Sequence, residues 1–232
     1  MRAGNNLLGC FQQIISVSNF AWRADLATIR HYCRDNMRST SDSEIRAALH
    51  RKKLRAAHCR ADTLIVDELG LAHAKARIDI AVIDGCVHGF EIKSAADTLV
   101  RLPQQLILYE QCLEKLTIVC AEKHVSAVRK MAPSWCGMLK VTKGPRGGID
   151  FITLRAPKRN PNVQAHRLAH LLWRPEAVAL LARLNAPPRL LRRPRKQLYK
   201  SLAGLLTLGE ITACIKESME ARQAWRDLRA RA

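Results

Sequence analysis

The sequence lacks several features that would define its class at once. No apolar run in its 232 residues approaches the roughly 18–20 residues that a membrane-spanning helix needs. The first apolar segment, residues 7–20, has no basic stretch before it of the kind that begins a secretory signal. None of the eight cysteines belongs to a C-x-x-C pair, which excludes a zinc ribbon and a redox motif. We therefore expect a cytoplasmic protein with reduced cysteines and no membrane partner.

Acidic residues are also scarce, and their distribution is uneven. The chain has 20 acidic and 39 basic residues. The net charge is +7 for residues 1–60, +1 for residues 61–155 and +11 for residues 156–232. A nearly neutral middle between basic flanks favours a polyanionic partner, most often nucleic acid. An anionic membrane surface is the second choice, and charge that serves solubility alone is the third.

The hydrophobic pattern predicts an α/β fold with a mixed sheet and helices on its faces. We expect three segments: a basic N-terminal segment of uncertain structure at residues 1–41, an α/β domain at 42–155, and a basic helical region at 156–232. The predicted order in the middle segment is α-β-β-β-α-β-α-β-β. Its helices are expected at 42–57, from between 97 and 103, and at 125–131. Its strands are expected at 63–68, from residue 77 up to the turn, through residues 90–93 after the turn, and at 115–121, 137–142 and 149–155. The helices of the last segment are expected at 163–173, 175–184, 197–206 and 209–229.

Charged residues interrupt an apolar hairpin at residues 77–94. Asp79 lies in the first strand, and Glu91 and Lys93 lie two residues apart, hence on one face, in the second. A two-residue turn would put Asp79 and Glu91 on opposite faces. A three-residue turn at residues 83–85, with Gly85 in the left-handed conformation, pairs residue 82 with residue 86 and brings all three charges to one face. We predict the three-residue turn.

Such a set of charges is costly to bury without a partner. Two carboxylates on adjacent strands suit Mg²⁺, and Mn²⁺ as a substitute, with water and a substrate phosphate completing the coordination shell. Lys93 on the same face would orient the attacking water or stabilise charge on the phosphate. Glu68, near the end of the preceding strand, is a candidate for a further carboxylate.

The ordered set of Asp79, a turn, and Glu91-Ile92-Lys93 on a strand before a helix resembles the PD-(D/E)XK nuclease superfamily. The wider run, with Glu68 ahead of the hairpin and Arg101 to Gln105 after it, is similar to a bacterial and phage branch of that superfamily. The resemblance implies a restriction-endonuclease-like αβββαβ core. It also implies that Asp79 and Glu91 bind metal and that Lys93 assists attack by water.

Two further features follow from the resemblance. Many members of the superfamily add a glutamate from the first helix, which matches Glu44; the competing interpretation is that Glu44 complements the helix dipole. Gln105 and Tyr109 match the Q-x-x-x-Y helix motif of the RecB and lambda-exonuclease-like branch. Their i, i+4 spacing puts both on one helix face. The resemblance covers roughly residues 42–142, with Ile78 where the motif has proline.

The predicted function is metal-dependent hydrolysis of DNA, with RNA not excluded and with exonuclease or endonuclease activity unresolved. The alternatives are a nucleic-acid-binding or regulatory protein that keeps the fold without cleaving, and a purely structural charge network. His166 and His170, four residues apart, are expected to be ordinary histidines. The oligomeric state is left open. Phosphate contacts are expected from Arg77, Arg101, Arg192, Arg193, Arg195 and Lys196.

Overall fold

The computed structural model describes residues 40–144 and 147–230, with side chains up to residue 225. Of the expected N-terminal segment, all but the last two residues lie outside that part of the chain. Six strands form one sheet in the sequential order β1 to β6. The strands are β1 Leu64–Leu71, β2 Ala76–Ile83, β3 Val87–Lys93, β4 Lys115–Ala121, β5 Gly137–Lys143 and β6 Ile149–Arg155.

The sheet is mixed, as the sequence predicts. The pairs β3–β4 and β4–β5 are parallel, whereas the pairs β1–β2, β2–β3 and β5–β6 are antiparallel. The helices are α1 Asp42–Ala48, α2 Arg55–His58, α3 Leu102–Cys112, α4 Val125–Met131, α5 Ala165–Leu168, α6 Arg174–Arg183, α7 Pro188–Leu191, α8 Arg195–Leu205 and α9 Leu208–Ala230. Between residues 63 and 155 the observed order of strands and helices is the predicted one, whereas the short helices α2 and α7 were not predicted as separate elements. None of the helices in the described ranges has both the length and the hydropathy to cross a bilayer.

Both faces of the sheet are buried. On one face, Ile45 and Leu49 pack with Ile80, Phe90 and Val119. On the other face, α3 and the C-terminal helices share one continuous core with the sheet. Residues 40–232 accordingly form one compact unit. The change in composition after residue 155 therefore does not mark a break in packing.

A buried carboxylate ties the last helix to the sheet. Glu114, which is 1% exposed, accepts hydrogen bonds from the backbone N–H of Val87 at 2.9 Å and from the Thr212 hydroxyl at 2.8 Å. Arg159 lies 3.8 Å from its other oxygen. Because a carboxylate is costly to bury without partners, these contacts fix α9 against the start of β3.

The first helix is shorter than predicted. It was expected to run to residue 57, but α1 ends at Ala48 and a π-helical turn follows at Leu49–Lys53. The N–H of Leu54 donates to the carbonyl of Leu49 at 2.9 Å, and both leucine side chains are buried in the same core. Five-residue spacing requires the wider π turn if both are to face the sheet.

The hairpin between β2 and β3 has the predicted three-residue loop, but one residue later than expected. Ile83 pairs with Val87, so the loop consists of Asp84, Gly85 and Cys86. Gly85 has a φ of 60°, as predicted for a left-handed position. Ile83 stays in the ladder because it is fully buried. The expected pairing of residue 82 with residue 86 is therefore wrong.

Strands β1 and β2 share a kink at Glu68 and Asp79. Asp67 pairs with Ile80 and Leu69 with Ile78, while the two residues between them are not bridged. The φ of Glu68 is 55°, in the left-handed region. Ile78 lies in the core on the α3 face and Ile80 in the core on the α1 face. Strict alternation predicts that these two isoleucines share a face, and the kink is why that expectation is wrong.

Strand β1 also continues past residue 68, where it was expected to end. Leu69 and Leu71 are buried opposite Ile78 and Ala76, which extends the ladder and shortens the connection to a tight turn. In this turn Ala72, His73 and Ala74 have φ values of 48°, 60° and 63°. Residues with a Cβ atom pay roughly 1–2 kcal/mol each for that conformation.

Replacing Ala74 by glycine should therefore stabilise the protein. Relief of the left-handed strain exceeds the extra entropy that glycine loses on folding, which leaves a gain of about 0.5–1 kcal/mol. We expect Ala74→Gly to raise the urea concentration at the midpoint of unfolding without a change in the slope of the unfolding free energy against urea concentration. The matched control is Ala213→Gly in exposed, right-handed helix α9, which should lower the midpoint. A lower midpoint for both variants would contradict the strain.

The cysteines behave as small hydrophobic residues, as expected. Cys86, Cys112, Cys120 and Cys136 are buried, and all six cysteines in the described ranges are free thiols. Burial raises the thiol pKa of Cys112 and Cys120 to about 11 and that of Cys136 to about 12. These thiols are therefore protonated and unreactive near neutral pH.

Candidate active site

Asp79 lies where β2 and β3 separate. The ladder between the two strands ends at Ile80 and Phe90, one position before Asp79 would meet Glu91. The carboxylate of Asp79 instead accepts the backbone N–H of Ile92 at 2.6 Å. The side chain thus replaces a backbone partner in the sheet, which fixes its position between the strands.

Arg46 of α1 balances the charge of Asp79. Its guanidinium donates to the Asp79 carbonyl oxygen at 2.5 Å and lies 3.3 Å from the carboxylate. The same group contacts Glu68 at 2.6 Å and Asp42 at 3.2 Å. One arginine therefore faces three carboxylates, which leaves this part of the site with an excess of negative charge.

Glu91 is the most buried charge of the site and is surrounded by donors. It is 2% exposed, and Lys93 is 6% exposed. Glu91 Oε1 accepts hydrogen bonds from Lys93 Nζ at 2.6 Å and from Gln105 Nε2 at 2.9 Å. Gln105 Oε1 in turn accepts from Lys93 at 3.2 Å. The structure thus brings together three of the predicted catalytic residues in one closed network.

Tyr109 completes this network from the same helix face as Gln105. It is fully buried, and its hydroxyl lies 2.7 Å from Glu91 Oε2 and 2.8 Å from the carbonyl oxygen of Arg77. Gln105 Nε2 donates to the hydroxyl at 3.1 Å. The i, i+4 pair therefore grips the Glu91 carboxylate from α3. The predicted common face for Gln105 and Tyr109 is confirmed.

The electrostatics of the site follow from two neighbouring carboxylates in a poorly solvated place. Burial and the charge of Glu91 raise the pKa of Asp79 from 3.8 to about 7, although the Ile92 hydrogen bond and Arg46 oppose that rise. Burial and Glu91 also raise the pKa of Tyr109, which keeps its hydroxyl protonated as a donor. Two like charges at close range favour a proton or a cation between them.

The other two proposed metal ligands have different surroundings. Glu44 forms a capping box with Ser41 at the start of α1 and lies 3.3 Å from Lys143, so its contacts are those of a helix cap. The Ser41 hydrogen bond lowers its pKa. Glu68 lies across from Asp79 in the sheet and shares Arg46 with it. Glu68 is therefore the nearer candidate for a third carboxylate.

Asp79 and Glu91 fit a divalent cation by their chemistry. Mg²⁺ takes one or two carboxylates from a protein and fills its remaining positions with water and phosphate oxygens. Burial and the nearby charge of Glu91 raise the pKa of Asp79, and a bound cation would favour the ionised form. Within the described residues no group of three or more histidine, cysteine or acidic side chains has the geometry of a metal centre. A cation here would depend on the two carboxylates and on solvent.

The predicted phosphate-binding residues lie in three places. Arg77 is exposed on β2 and lies 3.7 Å from Glu68, next to the site. Arg101 is exposed immediately before α3. The remaining four form an exposed basic segment around the start of α8, namely Arg192, Arg193, Arg195 and Lys196.

Arg46 is the residue of the site that the sequence did not single out. Its contacts with Glu68 and Asp79 join residues 22 and 33 positions apart, which no local pattern encodes. Its i, i+4 spacing from Asp42 was the available signal, and such pairs are common on solvated helices.

The fold and the site define the class of protein: an α/β protein whose mixed sheet holds a buried cluster of carboxylates and lysine between two helices. Within this class the chain belongs to the family described as Bacteriophage P4 protein cII, whose model matches residues 36–231. Protein cII of Enterobacteria phage P4 is 40% identical over 79 residues, which is 34% of this chain and 30% of that protein. The chain thus matches less than a third of the length of that relative. No solved structure matches the chain significantly.

The raised pKa of Asp79 predicts a specific pH dependence of stability. Because the folded protein binds this proton more tightly than the unfolded chain, the stability contribution is present below pH 4 and is lost as the pH rises through about 7. Asp79→Asn removes the ionisation and keeps an acceptor for Ile92. We expect the free energy of unfolding of this variant, relative to that of the wild type, to rise by about 1–3 kcal/mol when the pH is raised from 5 to 8. Urea unfolding at the two pH values measures the difference.

The control is Asp150→Asn, which changes a carboxylate that is 67% exposed and paired with Lys52. Its effect should be the same at both pH values. Equal effects of Asp79→Asn at pH 5 and pH 8 would show that Asp79 ionises normally.

Proposed function

We propose that this protein is a metal-dependent nuclease that hydrolyses phosphodiester bonds of DNA on a restriction-endonuclease-like core. The observation that carries the proposal is the convergence of Asp79, Glu91 and Lys93, from two adjacent strands, on one poorly solvated site. The order of α1, β1 to β3, α3 and β4 supports the proposed core. A sheet can place such residues together by chance. Burial of a charged cluster costs free energy, however, and such clusters are concentrated at functional sites.

The carboxylates of Asp79 and Glu91 would hold Mg²⁺, which supplies a bound water of lowered pKa and polarises a phosphate oxygen. Lys93 is the chain's own electrophilic group. Its ammonium lies in a desolvated position between Glu91 and Gln105, where a positive charge stabilises negative charge more strongly than in water. Its role is to orient the attacking water and to stabilise the charge that builds up on the phosphate.

Gln105 and Tyr109 are positioning residues in this proposal. Both donate hydrogen bonds to Glu91. They therefore keep the Glu91 carboxylate in one orientation while Lys93 interacts with substrate. Arg46 holds Asp79 from the opposite face of the sheet. Because donors reach the site from α1, α3 and β3, a side chain in it has little freedom to reorient, and preorganisation of this kind favours catalysis.

The charge distribution supports DNA as the substrate. Residues 156–232 carry a net charge of +11, and the basic segment around the start of α8 exposes four of these cations. Cations on a surface bind phosphates without regard to base sequence. This contribution supplies affinity, whereas the cluster around Glu91 supplies the chemistry.

A non-catalytic nucleic-acid-binding or regulatory protein is the second candidate, and one observation favours it. Each carboxylate oxygen at the centre of the site has a donor from the chain: Arg46 and Ile92 for Asp79, and Lys93 and Tyr109 for Glu91. A network satisfied in this way can persist as a structural element that holds the sheet and α3 together.

Cleavage assays separate the two candidates. Purified protein is incubated with linear, circular and single-stranded DNA and with RNA, in the presence of Mg²⁺, Mn²⁺ or chelator. We expect cleavage that needs the metal and that falls at least about a hundredfold in Asp79→Asn and Lys93→Gln, the size expected when a group that stabilises charge is lost. DNA binding should remain within about twofold because both residues lie away from the basic segment.

The matched control is Lys123→Gln, which removes an exposed lysine outside the site and should leave cleavage unchanged. Circular dichroism and urea unfolding establish that each variant is folded, since the loss of one partner of a buried ion pair is destabilising. Cleavage that survives in both site variants would rule out this site. DNA binding with no cleavage under any condition would favour the non-catalytic candidate.

The basic segment predicts the salt dependence of DNA binding. The triple variant Arg192→Gln, Arg193→Gln and Lys196→Gln should weaken binding and reduce the slope of log K against log salt. The reduction should be about 0.9 for each phosphate of duplex DNA that the variant no longer neutralises. Fluorescence anisotropy at several salt concentrations measures the slope.

The control for this experiment has the same change in net charge on the near-neutral part of the chain. It carries Lys123→Gln, Arg129→Gln and Lys130→Gln, all at exposed positions. Its slope should match the wild type. Equal slopes for the two triple variants would mean that net charge, and not the basic segment around the start of α8, determines binding.

A further inference from the structure

A cavity lies between the β1–β2 turn and the C-terminal helices, outside the network around Glu91. It has a volume of about 670 Å³, and the groups with chemistry in its lining are His73, His170, Arg195, Tyr199 and Arg222. Among the described residues no carboxylate lines it. The cavity therefore offers cationic and aromatic groups without an anionic partner of its own.

The imidazole rings in this cavity stack instead of converging. The rings of His73 and His170 are 4.4 Å apart between centroids and inclined by 21°, and Tyr199 packs on His170 at 4.9 Å. His166 meets His170 edge-on at 6.3 Å. Stacked rings direct their nitrogens outward along their edges, so they do not surround one metal ion, in agreement with the absence of a three-ligand group in the described ranges.

The field around the histidines is positive. Burial, His73 and Arg167 lower the pKa of His170 to about 4; burial, Arg195 and Lys75 lower the pKa of His73. Burial and the neighbouring cations Arg167, Lys200 and Lys196 lower the pKa of His166. Glu176, the nearby acidic group of α6, is paired with Arg222 at 2.6 Å. The charged groups that face the cavity or its histidines are Lys75 from the turn, Arg167 from α5, Glu176 from α6, Arg195, Lys196 and Lys200 from α8, and Arg222 from α9.

The strained turn holds His73 in this position. His73 is the middle of three consecutive residues in the left-handed region, a conformation that costs free energy without glycine. The strain is maintained by packing of His73 on His170 and by burial of Ala72. An imidazole is thus kept at the cavity despite conformational strain.

We propose that this cavity is an anion site that binds a phosphoryl group, with Arg195 and His73 as its charge-assisted donors. Arginine and protonated histidine match phosphate oxygens in both charge and hydrogen-bond geometry. A bound phosphate supplies the anion that the cluster lacks and stabilises the protonated form of the histidines. The phosphoryl group can belong to a nucleic acid or to a small phosphate, and binding here does not depend on cleavage at Glu91.

Histidine NMR tests the proposal on the full-length protein. The ¹³Cε1–¹Hε1 resonances of His73, His166 and His170 are followed at pH 6.5 during titration with inorganic phosphate, at ionic strength held constant with chloride. We expect saturable shifts of all three resonances. In Arg195→Gln the affinity should fall about tenfold, the effect of removing one charge-assisted hydrogen bond.

His88 is the internal control, because it lies on β3 and contacts Thr117 at 2.9 Å, and its resonance should stay fixed. A second titration uses a single-stranded 12-nucleotide DNA. If the shifts saturate at a lower concentration of DNA than of phosphate, the phosphoryl group belongs to nucleic acid. If the resonances respond to phosphate but not to DNA, it belongs to a small ligand. Shifts that do not saturate, or a shift of His88 as large as those of His73, His166 and His170, would contradict the proposed anion site.

Discussion

Two carboxylates that share a poorly solvated site are the constraint on which the rest of this structure depends. Burial, together with the negative charge of Glu91, raises the pKa of Asp79 to about 7. The protein responds with cations from both faces of the sheet, Arg46 from α1 and Lys93 from β3. Separation of α1 would remove the cation that faces Asp79, and separation of α3 would remove two hydrogen-bond donors from buried Glu91. The site and the packing of the two helices are therefore coupled.

The same constraint accounts for the irregular part of the sheet. A regular strand would direct the residue at position 79 fully to one face. The paired kink at Glu68 and Asp79 instead lets the Asp79 side chain take the N–H of Ile92 between two strands. Strain in β1, where Glu68 has a positive φ, is therefore found opposite the group that the proposed chemistry requires, as is common at functional sites.

Much of the fold could be predicted because it rests on local patterns. Strand β4 and helix α4 occupy the predicted residues, since each is a short apolar or amphipathic run between clear breakers. The expected common face of Asp79, Glu91 and Lys93 rested on strict alternation, which the kink at Glu68 and Asp79 interrupts. The exact register of the hairpin could not be predicted because it depends on the burial of Ile83 in the core on the α3 face. Arg46 and the stack of His73 on His170 join distant parts of the chain, and local sequence carries no signal for such contacts.

The central claim, that Asp79 and Glu91 form a charge pair suited to a cation, is tested most directly by the ionisation of Asp79 itself. The ¹³C resonance of its carboxyl carbon is followed against pH, with and without millimolar Mg²⁺, and Asp150 serves as an exposed reference. The account predicts a pKa near 7 without the metal and a value below about 6 with it, because a bound cation favours the ionised form. An ordinary pKa near 4 that Mg²⁺ leaves unchanged would contradict it.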